Sequence, residues 1–195
     1  MNRPGWMFAL VLAATPVLCA VTVAQSSATV AQSSARDTAP AALVDTDRQF
    51  LTLVAQAGIT EVQAGALAET HGSADSVKRF GRQMVSDHTA AGKELAGLAD
   101  RKHFALPATV DSENAQHLAT LRGLTGTAFD GPYADMMVKG HEKVVKAFQT
   151  AVTGAVDPDI KAFAVNTLPT LTHHLELARR MFVSERSATD TSPRH

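Results

Sequence analysis

At 195 residues the chain has room for one domain and a targeting segment. Its 18 basic and 19 acidic residues give a formal charge of −1, which removes the electrostatic case for nucleic acid or an anionic membrane surface as a partner. A single cysteine, Cys19, excludes an intramolecular disulfide.

Residues 1–24 read as a secretory signal peptide. Arg3 supplies the positive start, residues 7–23 are almost wholly apolar, and Thr22-Val23-Ala24 offers small residues for cleavage before Gln25. The rival reading is an uncleaved membrane anchor, against which stand Pro16 inside the run and a length near the lower edge for a span, roughly 18 residues. A lipid-modified Cys19 is disfavoured, because Leu18 stands where a small residue is wanted. Cleavage removes Cys19 and Arg3; the 18 basic residues less Arg3 are 17 against 19 acidic ones, a charge of −2. The expected address is therefore export, to a periplasmic or extracellular space, with a membrane-anchored form as the alternative.

Residues 25–44 are rich in Ala, Ser and Thr and too poor in large apolar side chains to seed a core, so they are expected to be a disordered linker. The hexapeptide Val-Ala-Gln-Ser-Ser-Ala at 23–28 recurs at 30–35, a short tandem duplication that also repeats the cleavage pattern at Thr29 to Gln32.

A helical domain is expected over residues 45–184. Helix A spans about residues 47–70, with Thr46 and Gln49 in capping-box spacing, Gly72 at its end, and an apolar stripe through Phe50, Val54, Ala57, Glu61, Ala64 and Ala68. Helix B follows Ser73 and runs to about His103, with Val77, Phe80, Met84, His88, Ala91, Leu95 and Leu98 in steps of three or four. A short helix over residues 112–122 is followed by helix C, which starts near residues 128–132 and ends before Gly154. Its stripe is Phe129, Tyr133, Met137, His141, Val144 and Phe148. Helix D opens on Asp157-Pro158, a cap followed by a first-turn proline, and continues to about Val183 with a kink expected at Pro169. Residues 185–195 read as a disordered tail.

No stretch alternates apolar and polar residues as a strand would. The A–B and C–D connections are short and make antiparallel hairpins, whereas residues 104–128 between B and C are long enough to cross the bundle. Two hairpins joined by one long crossover is the ferritin-like four-helix topology, in an all-α fold. Interior glycines (Gly58, Gly65, Gly81, Gly92, Gly97, Gly140) each cost about 1 kcal/mol relative to Ala, with close helix approach as the expected compensation.

Each of the four main helices carries one metal-competent side chain on its apolar stripe: Glu61, His88, His141 and His174. All lie about 13 to 16 residues from their helix starts, or roughly 20 Å at ~1.5 Å per residue. Antiparallel helices of like length bring such positions into one central layer. Three imidazoles and a carboxylate suit a single Zn, Fe, Cu, Mn or Ni ion. The alternative is a buried polar network that fixes helix register and binds nothing.

A di-iron centre is disfavoured. It needs a Glu-x-x-His on each of two helices, and the residues three before the histidines are Val85, Val138 and Leu171. Asp87 points about 100° away from His88 around the helix, towards a neighbouring helix, a loop or solvent. Asp130 reads as an N-cap, and Tyr133 as a packed ring whose hydroxyl finds a partner. The basic clusters at Lys78-Arg79-Arg82 and Arg179-Arg180 read as solvated helix faces, and His71, His103, His117, His173 and His195 carry no assigned role. No catalytic serine motif, phosphate loop or CxxC is present.

Glu61-Val62, Met84-Val85-Ser86-Asp87-His88, Phe129-Asp130-x-x-Tyr133, His141, and Leu168-Pro169 followed by His174 stand in order across residues 47–182. In this the chain resembles a bacterial family of secreted, ferritin-like proteins named only as a domain of unknown function and often labelled predicted outer-membrane proteins. The resemblance implies a ferritin-like bundle and export, and it brings no activity. The outer-membrane label sits against a chain with no barrel strands.

Three functions stay open. The leading one is an exported bundle binding one transition-metal ion, in metal handling or envelope stress, and more a binding protein than an enzyme. The second is a structural or protein-interaction module whose His/Glu layer only sets packing, and the third a mononuclear metalloenzyme. Whether the chain meets a protein partner or its own copy is not legible.

Overall fold

The computed structural model describes residues 42–190, with side chains to residue 187. The expected signal peptide, most of the expected linker and the last residues of the expected tail lie outside the described residues. The elements are α1 (Asp45–His71), α2 (Asp75–Arg101), α3 (Ser112–Arg122), α4 (Thr127–Gly154) and α5 (Pro158–Asp190). Among the described residues the only extended pairing is one isolated bridge, Gly72 to Gly126. The fold is an all-α bundle.

Each long helix packs on two others: α1 on α2 and α4, and α5 on α4 and α2. Ring contacts fix the directions. Phe50 meets Phe148 at one end of α1 and His71 meets Phe129 at the other, so α1 and α4 are antiparallel. Ser76 bonds Glu185 while Asp87 bonds His174, so α2 and α5 are antiparallel too. Phe80 faces Tyr133 and His88 faces His141, which sets α2 and α4 across the bundle and running the same way. That parallel diagonal requires the crossover expected from the long connection. The crossover carries α3, which buries Leu118 and Leu121 and packs on α1 and α4.

Two apolar clusters fill the bundle. One gathers Phe50, Leu51, Leu95, Phe148, Ile160 and Phe163, and the other gathers Phe80, Met84, Phe129, Tyr133, Met137 and Met181. Each fully buried side chain of this size contributes about 1.5–3 kcal/mol. The inward polar residues lie between the two clusters. Helix α1 is long and apolar enough to cross a membrane by length and composition alone, yet here its Leu51, Ala64 and Ala68 are wholly buried in the bundle core.

The hairpin turns are held in a way that the sequence reading missed. Asp130 does not cap its own helix; it lies inside α4, buried, and accepts from the backbone amides of Ser73 (2.9 Å) and Ala74 (3.0 Å) at the start of α2. Asp47, buried in α1, accepts in the same way from Val156 (3.3 Å) and Asp157 (2.8 Å) before α5. Each hairpin thus supplies a carboxylate to the other hairpin's turn, where free amides and the positive end of a helix favour an anion. The Thr46/Gln49 capping box does not form: Val44 is the N-cap of α1, with no side-chain bond. The Asp157 cap does form, accepting from the amides of Asp159 and Ile160. Replacing Asp130 with Ala removes two charge-assisted bonds and is expected to cost about 2 kcal/mol or more. Asp130→Asn, which keeps one acceptor, loses less; equal denaturation midpoints for wild type and Asp130→Ala contradict this role.

Three further expectations are corrected. Helix α2 ends at Arg101 rather than near His103, which adopts a left-handed φ of 51°. Helix α5 is continuous through Pro169 and reaches Asp190, taking residues 185–190 from the expected tail, because nothing before Pro193 stops it. Close approach explains only some of the glycines: a Cβ at Gly65 would lie 2.6 Å from the Gly81 carbonyl oxygen and one at Gly81 2.7 Å from that of Gly65, whereas one at Gly58 or Gly92 would meet nothing within 4 Å.

Candidate metal centre

His88 on α2, His141 on α4 and His174 on α5 are buried, with relative exposures of 9%, 1% and 1%. They point inward because each continues the apolar stripe of its helix, one turn from Met84, Met137 or Leu171. Their rings form a near-equilateral triangle, with centroids 5.7, 5.6 and 5.6 Å apart. One ring nitrogen from each lies within 4.8 Å of the others.

The outward nitrogens of His141 and His174 are held. His141 Nδ1 is 2.8 Å from the Met137 carbonyl oxygen, one turn back on the same helix. A carbonyl only accepts, so Nδ1 carries the proton and Nε2 keeps its lone pair. His174 Nε2 is 2.9 Å from Asp87 Oδ2 across the α2–α5 interface, so Nε2 donates there and Nδ1 keeps the lone pair. The inward nitrogens, His88 Nε2, His141 Nε2 and His174 Nδ1, are buried without a hydrogen-bond partner. Leaving such a group unsatisfied costs about 1–3 kcal/mol.

The electrostatics keep the lone pairs available. Burial, reinforced by His141 and His174, pushes the His88 imidazole down to about 3. Burial also lowers His174, against the opposing bond to Asp87. Both are neutral at neutral pH, the form in which imidazole binds metal.

Glu61 is placed differently from the expectation. It is buried in the same layer, but it is not among the clustered ligand atoms. Its Oε1 lies 3.8 Å from His141 Nδ1, behind the ring rather than at its inward face. A Cβ at Gly140 would come within 3.1 Å of Glu61 Oε1, so the glycine makes room for the carboxylate. Burial raises the Glu61 carboxyl above its ordinary value, and Oε2 has no partner. The structure thus joins three of the four expected residues at one point and sets the fourth behind one of them.

Asp87, which the sequence leaves open between a neighbouring helix, a loop and solvent, accepts from His174. The available signal was its place beside His88 on a helix whose other neighbour carries His174. A carboxylate behind a ligating imidazole fixes the tautomer and raises ligand basicity. Asp87→Asn is expected to weaken metal binding about 10–100-fold in a competitive chelator titration; an unchanged affinity contradicts an orienting role. Tyr133 also departs from expectation. Its ring stacks on Phe129 at 5.4 Å, but its hydroxyl has no partner. Burial and the nearby Glu61 hold that hydroxyl well above its ordinary pKa.

Three converging imidazoles, with the two nearby carboxylates behind the rings, are a donor set of the kind that suits one borderline transition-metal ion. Comparison with known proteins finds the following. The family profile described as Domain of unknown function (DUF4142) matches residues 32–181. A solved structure of a conserved hypothetical protein, rv2844, from Mycobacterium tuberculosis is similar in fold: 13% identity, TM-score 0.50, covering 77% of this chain and 94% of that one. No curated protein matches.

Proposed function

The chain belongs to the DUF4142 family, a domain of unknown function, and within that frame we propose that it is an exported helical bundle that binds a single transition-metal ion through His88, His141 and His174. One observation carries this reading: three buried ring nitrogens from three helices, all without partners, meet at one point while the opposite nitrogens of His141 and His174 are held by Met137 and Asp87. Groups arranged only for packing would bond one another, whereas these inward nitrogens find no partner. The donor set suits Zn, Cu, Ni, Fe or Mn and is poor for Mg or Ca, which take oxygen. Export is read from the leader-like sequence of residues 1–24, and it supports a role in metal handling or envelope stress.

The test is metal analysis of tag-free protein with its leader processed. The expected result is about one equivalent of one transition metal, retained through dialysis and lost in His141→Ala. Metal-free protein that takes up none of the five ions on titration overturns the reading. In that event the layer acts as a polar spacer between two apolar clusters, a reading favoured by the partnerless Glu61 Oε2 and Tyr133 hydroxyl in the same region. Three protein ligands also leave a coordination position for an exogenous donor, the arrangement that a mononuclear metalloenzyme requires.

A further inference from the structure

The two sides of the histidine triangle are unlike. On one side the next helical turn presents Met84 and Met137, both fully buried, and the Phe80 ring lies 6.3 Å from that of His141. On the other side a cavity of about 420 Å³ opens between α1 and α2, with His88 in its wall. Val144, Leu171, Leu95 and Phe148 line it, and no carboxylate, Lys or Arg does. That volume lies in the ordinary range for small-molecule pockets, roughly 300–1,000 Å³.

Small residues on α1 and α2 open this space. The antiparallel register that sets Gly65 against Gly81 puts Gly58 at the level of His88, seven residues along each helix. Gly58 and Gly92 line the cavity, and a Cβ at either would meet nothing within 4 Å. Two helix-interior glycines, each costing about 1 kcal/mol relative to Ala, therefore have no close-packing reason. Gly92 is exposed, whereas half-buried Gly58 at the His88 level preserves volume beside that ring.

We propose that this chamber binds the apolar body of a small neutral molecule whose one nitrogen, oxygen or sulfur donor faces the histidine triangle. Resting on the metal reading above, that donor takes the coordination position that three imidazoles leave. The closed Met84–Met137 side bars approach from the other direction. The uncharged lining selects against ions, and the apolar walls select for a body of one or two rings, or an equivalent alkyl chain.

The test compares imidazole with phenylimidazole on the Co(II)-loaded full-length mature protein, reading the visible spectrum. Phenylimidazole is expected to perturb the Co(II) bands at a concentration at least tenfold lower than imidazole. Gly58→Leu, which projects into the chamber at the His88 level, is expected to bring the two concentrations together while Co(II) still binds. Ala91→Leu, on the α2 wall of the chamber, does the same should Gly58→Leu fail to fold. Equal sensitivity to both probes in wild type, or a preference unchanged by the folded variants, overturns the proposal. Failure to bind Co(II) counts against the metal reading and not against the chamber, which is then judged on metal-free protein with benzene as the probe. Shifts of the Val144 and Leu171 methyl resonances support the chamber, and their absence overturns it.

Discussion

With its ion present at a hundredfold excess over Kd, the protein is expected to melt about 5–10 °C above the same protein in chelator. A ligand that binds only the folded state stabilises it by RT ln(1 + [L]/Kd), about 2.7 kcal/mol at that excess, and a domain of this size gains roughly 2–4 °C per kcal/mol. His141→Ala abolishes the gap, because it removes one of three ligands and the Met137-anchored ring. Acid competes with the ion for the same nitrogens, so the gap narrows as pH falls. The chelated protein has a pH dependence of its own. The His88 imidazole is held down at about 3 in the fold, against an ordinary value of 6.5. Between those values the unfolded chain binds a proton that the folded chain refuses. Stability therefore rises with pH across this window, is fully present above it, and is lost as pH falls through it. The slope from this one group is at most about 1.4 kcal/mol per pH unit, and His174, lowered in the same direction, adds to it. A melting curve indifferent to chelator and to every one of the five metals leaves only the packing role.

Alanine at Gly65 and alanine at Gly58 are expected to move stability in opposite directions. Both sit inside α1, where Ala is favoured over Gly by about 1 kcal/mol on helix propensity alone. At Gly58 nothing stands within 4 Å of the added carbon, so the substitution gains about 0.5–1 kcal/mol. At Gly65 the carbon falls 2.6 Å from the Gly81 carbonyl oxygen, a backbone atom that moves only if α2 moves. Separating the two helices there disturbs Met84 and the whole contact below His88. The net loss is expected to be about 1–3 kcal/mol after the propensity gain. Urea midpoints of the two variants against wild type decide it. A Gly65→Ala protein at least as stable as wild type shows that the helices do not meet at this pair.

How much of this was legible in the chain follows from the kind of interaction involved. Helix periodicity is local, so the stripes through Phe50, Phe80, Phe129 and Phe163 placed the four long helices to within a few residues at all but the end of α5, and connection length alone implied the crossover. The same stripes carried Glu61, His88, His141 and His174 inward, because a residue three or four positions from a buried Met or Leu shares its face. Termini were less legible. Val44 begins α1 without a side-chain cap, and α5 runs past Val183 to Asp190, because fraying is decided by contacts such as Ser76 to Glu185.

The remaining features depend on rotation and neighbourhood, which one helix does not encode. Depth along the bundle was readable, but which ring nitrogen faces inward depends on the atom behind it: Met137 O for His141 and Asp87 for His174. Glu61 had the right height and the wrong azimuth, behind His141 instead of beside His88. In the sequence Asp130 reads as a cap of its own helix and Asp47 only as the start of helix A; each caps the opposite hairpin's turn because those amides arrive within 2.8–3.3 Å. Gly65 and Gly58 were indistinguishable in sequence, since one faces a backbone and the other a cavity. By itself the sequence determined the helices, their inward faces and the donors available on them, all properties of short-range periodicity. Tertiary structure decided which donors meet, because that requires three helices distant in sequence to place single atoms within a few ångströms.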